Sequence, residues 1–213
     1  MKKILFLACL ALGVSACEKD PDLSNLDGNM VVYTDYDNST DFSAYTTYFL
    51  PDSILEAGAI RASYWKDENA QTLIKEVEAN LNSRGYTRIT DPEKKDEADF
   101  GVQLSYIAET TQVVTGGYWN GWWDTGFWGP WWGGGWYYPY PVTYSYDTNA
   151  LVMEMVDLTR KQEGEGSASQ TIPVVWYANA QGFKYSSGKL NLQLMVSGID
   201  QAFMQSAYIT RNK

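Results

Sequence analysis

The chain has 213 residues, no histidine, a formal net charge of −10, and is 45% hydrophobic and 15% aromatic. The missing imidazole removes Ser-His and Cys-His nucleophilic catalysis, histidine metal sites and the commonest general base. The acidic balance repels phosphate backbones and so excludes nucleic acid as a partner; carboxylate chemistry, hard-cation binding or binding without catalysis remain.

The first residues have the order of an export signal. Lys2 and Lys3 form a positive start, Ile4 to Val14 an apolar stretch, and Ser15-Ala16 a small-residue cleavage site. The 13 apolar and small residues from Ile4 to Ala16 cover roughly 20 Å as a helix, too short for a hydrocarbon core of about 30 Å. Val14-Ser15-Ala16-Cys17 resembles the lipobox of bacterial lipoproteins, in which the cysteine takes diacylglycerol and palmitate. Two or three acyl chains anchor a protein stably where one holds it only marginally. Lipid-bearing Cys17 is thus the expected contact with the outer membrane of a Gram-negative bacterium.

Cleavage before Cys17 leaves 197 residues, enough for one domain. The signal carries two lysines and no acid, so the mature net charge is −12. Cys9 leaves with the signal, so the mature chain forms no internal disulfide. Residues 17–29 read as an acidic, solvated tether. Glu18-Lys19-Asp20-Pro21-Asp22 also resembles the export tag of surface lipoproteins, which leaves the periplasmic and cell-surface faces both open.

One α+β domain is expected over residues 30–207. Met30 to Tyr36 is β-branched and aromatic and predicts a first strand, followed by a turn over Asp37 to Thr40. Tyr45 to Leu50 predicts a second strand ended by Pro51. Residues 52 to 66 suggest a short helical turn or a loop. Asp67 to Arg84 predicts a helix: Ala70, Leu73, Ile74, Val77 and Leu81 make one apolar stripe, Asp67 caps its start and Gly85 stops it. Tyr86 to Ile89 is a short strand and Asp91 to Asp99 a charged connector.

Phe100 to Val114 predicts a long strand in which Phe100, Val102, Leu104 and Tyr106 alternate with small or polar residues, as in a sheet with one solvated face. Ala150 to Leu158 and Ile172 to Ala180 predict two more strands, joined by a polar loop. Pro173 suggests an edge position, or the point where the chain joins the sheet. Lys189 to Ser206 predicts a last helix despite Gly198. These elements predict a two-layer α+β domain, with a mainly antiparallel sheet and two amphipathic helices on one face.

Residues 116–141 interrupt the pattern with seven of the nine tryptophans, eight glycines and three prolines. The tryptophans are Trp119, Trp122, Trp123, Trp128, Trp131, Trp132 and Trp136. Each packed aromatic side chain buries about 150–250 Å², and a fully exposed loop of this kind exceeds the apolar patch a monomer tolerates. Four covers are open: the loop's own sheet, a protein partner or second copy, the membrane headgroup layer, or sugar rings. The seven tryptophans are candidate contacts for a partner or ligand.

No catalytic constellation emerges. Asp35-x-Asp37-x-Ser39-x-Asp41 begins like a calcium loop, but Thr40 stands where glycine is needed and Thr46 where the bidentate glutamate belongs. Turn and capping roles fit better. Glu154 and Asp157, three residues apart on a strand, face opposite sides and do not pair. No cofactor or metal is expected.

Several stretches resemble the domain-of-unknown-function 4136 family of envelope lipoproteins. They are Asp35-Tyr36-Asp37, Asp41-Phe42-Ser43-Ala44-Tyr45-Thr46-Thr47-Tyr48, Leu81-x-x-x-Gly85-Tyr86, Ala98-Asp99-Phe100-x-Val102 and Val174-Val175-Trp176-Tyr177-x-Asn179-Ala180. A Gly/Trp/Tyr-rich insertion is also familiar there. One departure is that Tyr177-Ala178 follows Trp176, where the family often has a Trp-Arg-Gly-like segment. The resemblance implies a lipid-anchored α+β domain that binds partners without catalysis, and it supplies no active site. The expectation is a non-enzymatic envelope lipoprotein presenting a surface to a protein partner or to itself. A glycan-binding module using the aromatic loop is the alternative, and a carboxylate-based hydrolase a third reading.

Overall fold

The computed structural model describes residues 30–57, 63–107, 113–115, 118–119, 128, 136–140, 143–145, 149–160, 162–163, 170–183 and 188–212. The export signal, Cys17, the tether and Trp122, Trp123, Trp131 and Trp132 lie outside them. In chain order, β1 (Val31–Tyr36), β2 (Thr47–Phe49), β3 (Ile54–Ala57) and β4 (Ser63–Trp65) precede helix α1 (Glu68–Ser83). Then come β5 (Thr87–Ile89), β6 (Phe100–Ile107), β7 (Val113–Thr115), β8 (Tyr118–Trp119), β9 (Trp136–Tyr137) and β10 (Thr143–Ser145). The chain closes with β11 (Ala150–Asp157), β12 (Gln162–Glu163), β13 (Gln170–Gln181) and helix α2 (Gly188–Gln205).

The centre of the sheet is antiparallel, in the order β6, β11, β13, β1. Parallel joins extend it: β2 and β3 run beside successive parts of β6, β5 beside β2, and β9 beside the start of β13. Alternation along β6 and β11 sends Phe100, Val102, Leu104, Leu151, Met153 and Met155 to one face. There they meet the stripe of α1 and Leu194, Met195, Ile199, Ala202 and Phe203 of α2 in one buried cluster. This is an α+β fold with two layers, as its sequence pattern predicts.

Local chemistry explains the boundaries of α1. The Asp67 carboxylate accepts from the backbone N–H groups of Asn69 and Ala70, at 2.9 and 3.0 Å, satisfying donors the first turn leaves open. The chain leaves the helix through Gly85 at φ +92°. Gly198 sits in α2 because the helix touches the sheet there. A Cβ at that position would lie 2.8 Å from the Ala180 Cβ.

Four expectations need correction. Residues 52 to 66 are neither a loop nor a helical turn throughout. They contain β3 and β4, an antiparallel pair with Ile54 opposite Trp65 and Leu55 opposite Tyr64. These strands have four and three residues, too short to declare a period, and β3 is fixed by lying beside β6. The strand opening at Phe100 is described as far as Ile107, residues 108–112 lie outside the described residues, and Val113–Thr115 pairs with β10 in a separate two-stranded sheet.

The third correction concerns the edge position offered for β13, which is interior; the other reading, a point near where the chain joins the sheet, fits Pro173. Pro173 is tolerated near its start, where the ladder to β11 is already disturbed: Met155 pairs with Trp176 but Val156 with Val174. The fourth concerns the second face of the sheet. It is not solvated over β6 and β11, because Gln103 and Ser105 are 3% and 2% exposed, and every residue of β11 is buried.

Candidate functional site

The second face carries Gly101, Gln103, Ser105 and Ile107 from β6, Val152, Glu154 and Val156 from β11, and Tyr177 and Asn179 from β13. Register places Gln103, Glu154, Tyr177 and Asp35 of β1 directly across from one another on four neighbouring strands. The next row is Ser105, Val152, Asn179 and Tyr33. A polar row of this kind inside an apolar surround is costly unless it is hydrogen-bonded.

The aromatic insertion supplies the cover and part of the bonding. Trp128 is 1% exposed and packs edge-on against Phe49, with ring centroids 6.2 Å apart. Its indole N–H donates to Gln103 Oε1 at 3.1 Å, and Gln103 Nε2 donates to Ser105 Oγ at 3.2 Å. Gly101 makes this approach possible. A Cβ there would stand 2.5 Å from Trp128 Cη2 and 3.2 Å from Val156 Cγ2.

Tyr138 follows β9 and is also buried. Its hydroxyl donates to Glu154 Oε1, and its ring meets those of Tyr140 and Tyr177 edge-on at 5.9 and 6.2 Å. Burial pushes the Glu154 carboxyl up to about 7, and the bond from Tyr138 opposes that rise. Burial, together with the Asp35 and Glu154 carboxylates, also raises the Tyr140 phenol far above its ordinary value. The Tyr140 hydroxyl and Asn179 Oδ1 are buried and find no hydrogen-bond partner among the described residues.

The seven tryptophans therefore divide. Trp128 is packed into the domain, where it serves the sheet's second face. Trp119 and Trp136 are opposite each other in the antiparallel pair β8·β9, and β9 joins β13 at Ile172. Trp122, Trp123, Trp131 and Trp132 lie outside the described residues, as does Cys17. Sequence reasoning did not single out Tyr138 or Gln103, and it met Asn179 only as part of a family motif. Alternation shows which face a strand residue takes but not whether an insertion covers that face.

Glu154 and Asp157 point apart. Asp157 accepts from Tyr45 Oη at 2.7 Å on the helix face, and from Thr159 and Arg160. Burial draws the Asp157 carboxyl upward, but the bonds from Thr159, Tyr45 and Arg160 outweigh it and hold it below the ordinary value. Arg160 also bridges to Asp37 at 3.3 Å, joining the end of β11 to the turn after β1. Asp37 accepts from Ser39 and Thr40, and Asp41 caps a short 3-10 turn through Ser43 N–H. These aspartates thus perform turn and capping work.

The remaining motif residues are structural too. Asp99 Oδ2 accepts from the N–H groups of Thr46 and Thr47, at 2.7 and 2.9 Å, and so fixes β2 beside β6. Tyr86 donates to the Phe42 carbonyl, and the Trp176 indole donates to Ser206 Oγ at 2.8 Å, tying β13 to the end of α2. Among the described residues no helix is long and apolar enough to cross a membrane.

The family described as "Domain of unknown function (DUF4136)" matches residues 32–206. The crystal structure of a DUF4136 family protein from Bacteroides thetaiotaomicron is similar at 36% identity and TM-score 0.71, covering 87% of this chain and 100% of that one. A PelC dodecamer from Paraburkholderia phytofirmans aligns at 12% identity and TM-score 0.39, over 81% of this chain and 95% of that one. No curated protein matches. With its family motifs folded into the two-layer domain they specify, the chain belongs to the DUF4136 family.

Proposed function

We propose that this protein is a lipid-anchored, non-enzymatic envelope lipoprotein of the outer membrane, and that its domain holds the aromatic insertion as an interaction surface for a protein partner or a second copy. The observation that carries this reading is the fixing of the insertion from within. Trp128 and Tyr138 are bonded to Gln103 and Glu154 on the sheet, and β9 adds to β13. Anchoring at Trp128, β9 and Tyr138 orders those positions beforehand, so less conformational entropy is lost there when a partner engages. Tryptophan and tyrosine are the side chains that most often anchor such contacts. Val14-Ser15-Ala16-Cys17 supports the anchor, and the absence of histidine supports a role without catalysis.

Replacing Trp122, Trp123, Trp131 and Trp132 together by serine tests the surface. The expected variant is folded and lipidated but loses association with its partner or with itself, read by cross-linking in intact cells and by analytical ultracentrifugation. Unchanged association in a folded variant overturns the proposal. Mass spectrometry of the mature N-terminus tests the anchor, and Cys17→Ala is expected to release the protein from the membrane fraction.

A further inference from the structure

On the helix side of the fold, away from the insertion, five elements enclose a cleft of about 240 Å³. Its walls are Glu56 of β3, Trp65 of β4, Asn69 of α1 and Tyr106 of β6, with Asn191, Leu192 and Met195 of α2. Asn69 and Gly188 are exposed at its mouth, whereas Met195 is 5% exposed at its base. The Trp65 and Tyr106 rings lie 5.7 Å apart at 56°, so they form two inclined apolar surfaces rather than one closed stack.

The polar groups are of a specific kind. Glu56 accepts from Ser63 Oγ through one carboxylate oxygen, Oε2, which steadies the side chain. Tyr106 donates its hydroxyl to Asn149 Oδ1 at 2.9 Å, so its ring rather than its oxygen is committed to the wall. Asn69 and Asn191 bring amides, each able to donate and to accept. The cleft is thus amphipathic. Trp65, Tyr106, Leu192 and Met195 make its apolar part, and one carboxylate and two amides its polar part.

We propose that this cleft is a sugar-binding subsite for a single neutral pyranose ring of a glycan. A pyranose has an apolar C–H face and a rim of hydroxyls that both donate and accept. Its slightly positive C–H groups suit the negative face of an aromatic ring, and its hydroxyls suit a carboxylate beside amides. The volume is below the roughly 300–1,000 Å³ typical of drug-sized pockets, which matches one ring with the rest of a glycan leaving through the mouth. Glu56, with no cation among the described lining residues, disfavours an anionic sugar. A sugar hydroxyl can accept from the Asn69 amide N–H, whereas a simple ammonium ion offers it no acceptor.

Saturation-transfer NMR on the mature full chain tests this, with titration calorimetry for affinity. The probes are the methyl glycosides of glucose, galactose, mannose, rhamnose and N-acetylglucosamine, with glucuronic acid and glucosamine as charged controls. At least one neutral glycoside is expected to bind at millimolar or lower concentration. Trp65→Ala, Glu56→Gln and Asn69→Ala are each expected to weaken it, the first by roughly tenfold or more. Asn69 is exposed at the mouth, so its variant keeps the test valid if Trp65→Ala fails to fold. Trp128→Phe, on the opposite face, leaves binding unchanged. The proposal is overturned if no neutral glycoside binds, if only a charged control binds, or if Glu56→Gln and Asn69→Ala bind as the parent does.

Discussion

The Tyr138 hydroxyl donates to the carboxyl of Glu154, a residue 4% exposed in the middle of β11. This bond links the aromatic insertion to the sheet's second face and leaves an ionisable group where water does not reach. Its energetic sign follows from the direction of the shift. The folded protein holds Glu154 protonated up to about pH 7, while the ordinary value is 4.5. Between those values the folded state binds the extra proton, so stability is greatest below about pH 4.5 and is lost as pH rises to about 7. The loss is on the order of 3 kcal/mol. Glu154→Gln is expected to flatten this part of the profile, measured by urea unfolding between pH 4.5 and 8.5. Tyr138→Phe removes the bond that favours the charged carboxylate and is expected to move the loss to higher pH.

Asp157 gives the opposite sign. Its carboxyl is held below the ordinary 3.8 by Thr159, Tyr45 and Arg160 against the upward pull of burial, so its contribution is present at neutral pH and lost in acid. Asp157→Ala leaves the buried Tyr45 hydroxyl without its acceptor, while Arg160 keeps Asp37 and Thr40, and is expected to cost about 1–3 kcal/mol. Arg160→Met is expected to cost less, because Thr159 and Tyr45 still satisfy the carboxylate and the arginine side chain is 42% exposed. Thermal melts of the two variants at pH 7 check this ordering.

The contact between Gly101 and Trp128 predicts non-additive mutations. Trp128→Ala empties a fully buried site and is expected to cost about 3–5 kcal/mol. Gly101→Ala forces the indole away and is expected to cost about 1–3 kcal/mol by overpacking. In the Trp128→Ala background the same change has space for its methyl group and costs little. A double-mutant cycle by urea unfolding measures the coupling.

The helices were readable in the sequence because each carries its stripe and its boundary signals within its own residues. Asp67 and Gly85 bracket α1 without reference to anything distant. The central strands were readable from the alternation of Phe100, Val102, Leu104 and Tyr106. The hairpin of β3 and β4 was not, since seven strand residues in two pieces take their conformation from β6 beside them. The site was harder still. Gln103 and Ser105 look like solvent-facing residues, and they are buried because Trp128 and its neighbours, later in the chain, return to cover them. The composition of the insertion demanded a cover, but only the fold assigns Trp128 and Tyr138 to it.

Capping at α1 is a local test of the same reasoning. Asp67→Ala removes an acceptor for two backbone N–H groups and is expected to lower stability by about 1 kcal/mol. Asp67→Ser is expected to restore most of it.

Site-specific photo-cross-linking in the lipidated full-length protein, in the outer membrane of living cells, tests the proposed role of the insertion most directly. A benzophenone side chain is placed in turn at Trp122, at Trp131 and at Met204, an α2 residue that is 70% exposed and serves as the control. Discrete adducts with one protein, or with a second copy, are expected from Trp122 and Trp131 but not from Met204. Adducts from Met204 alone, or from none of the three positions, would contradict the account.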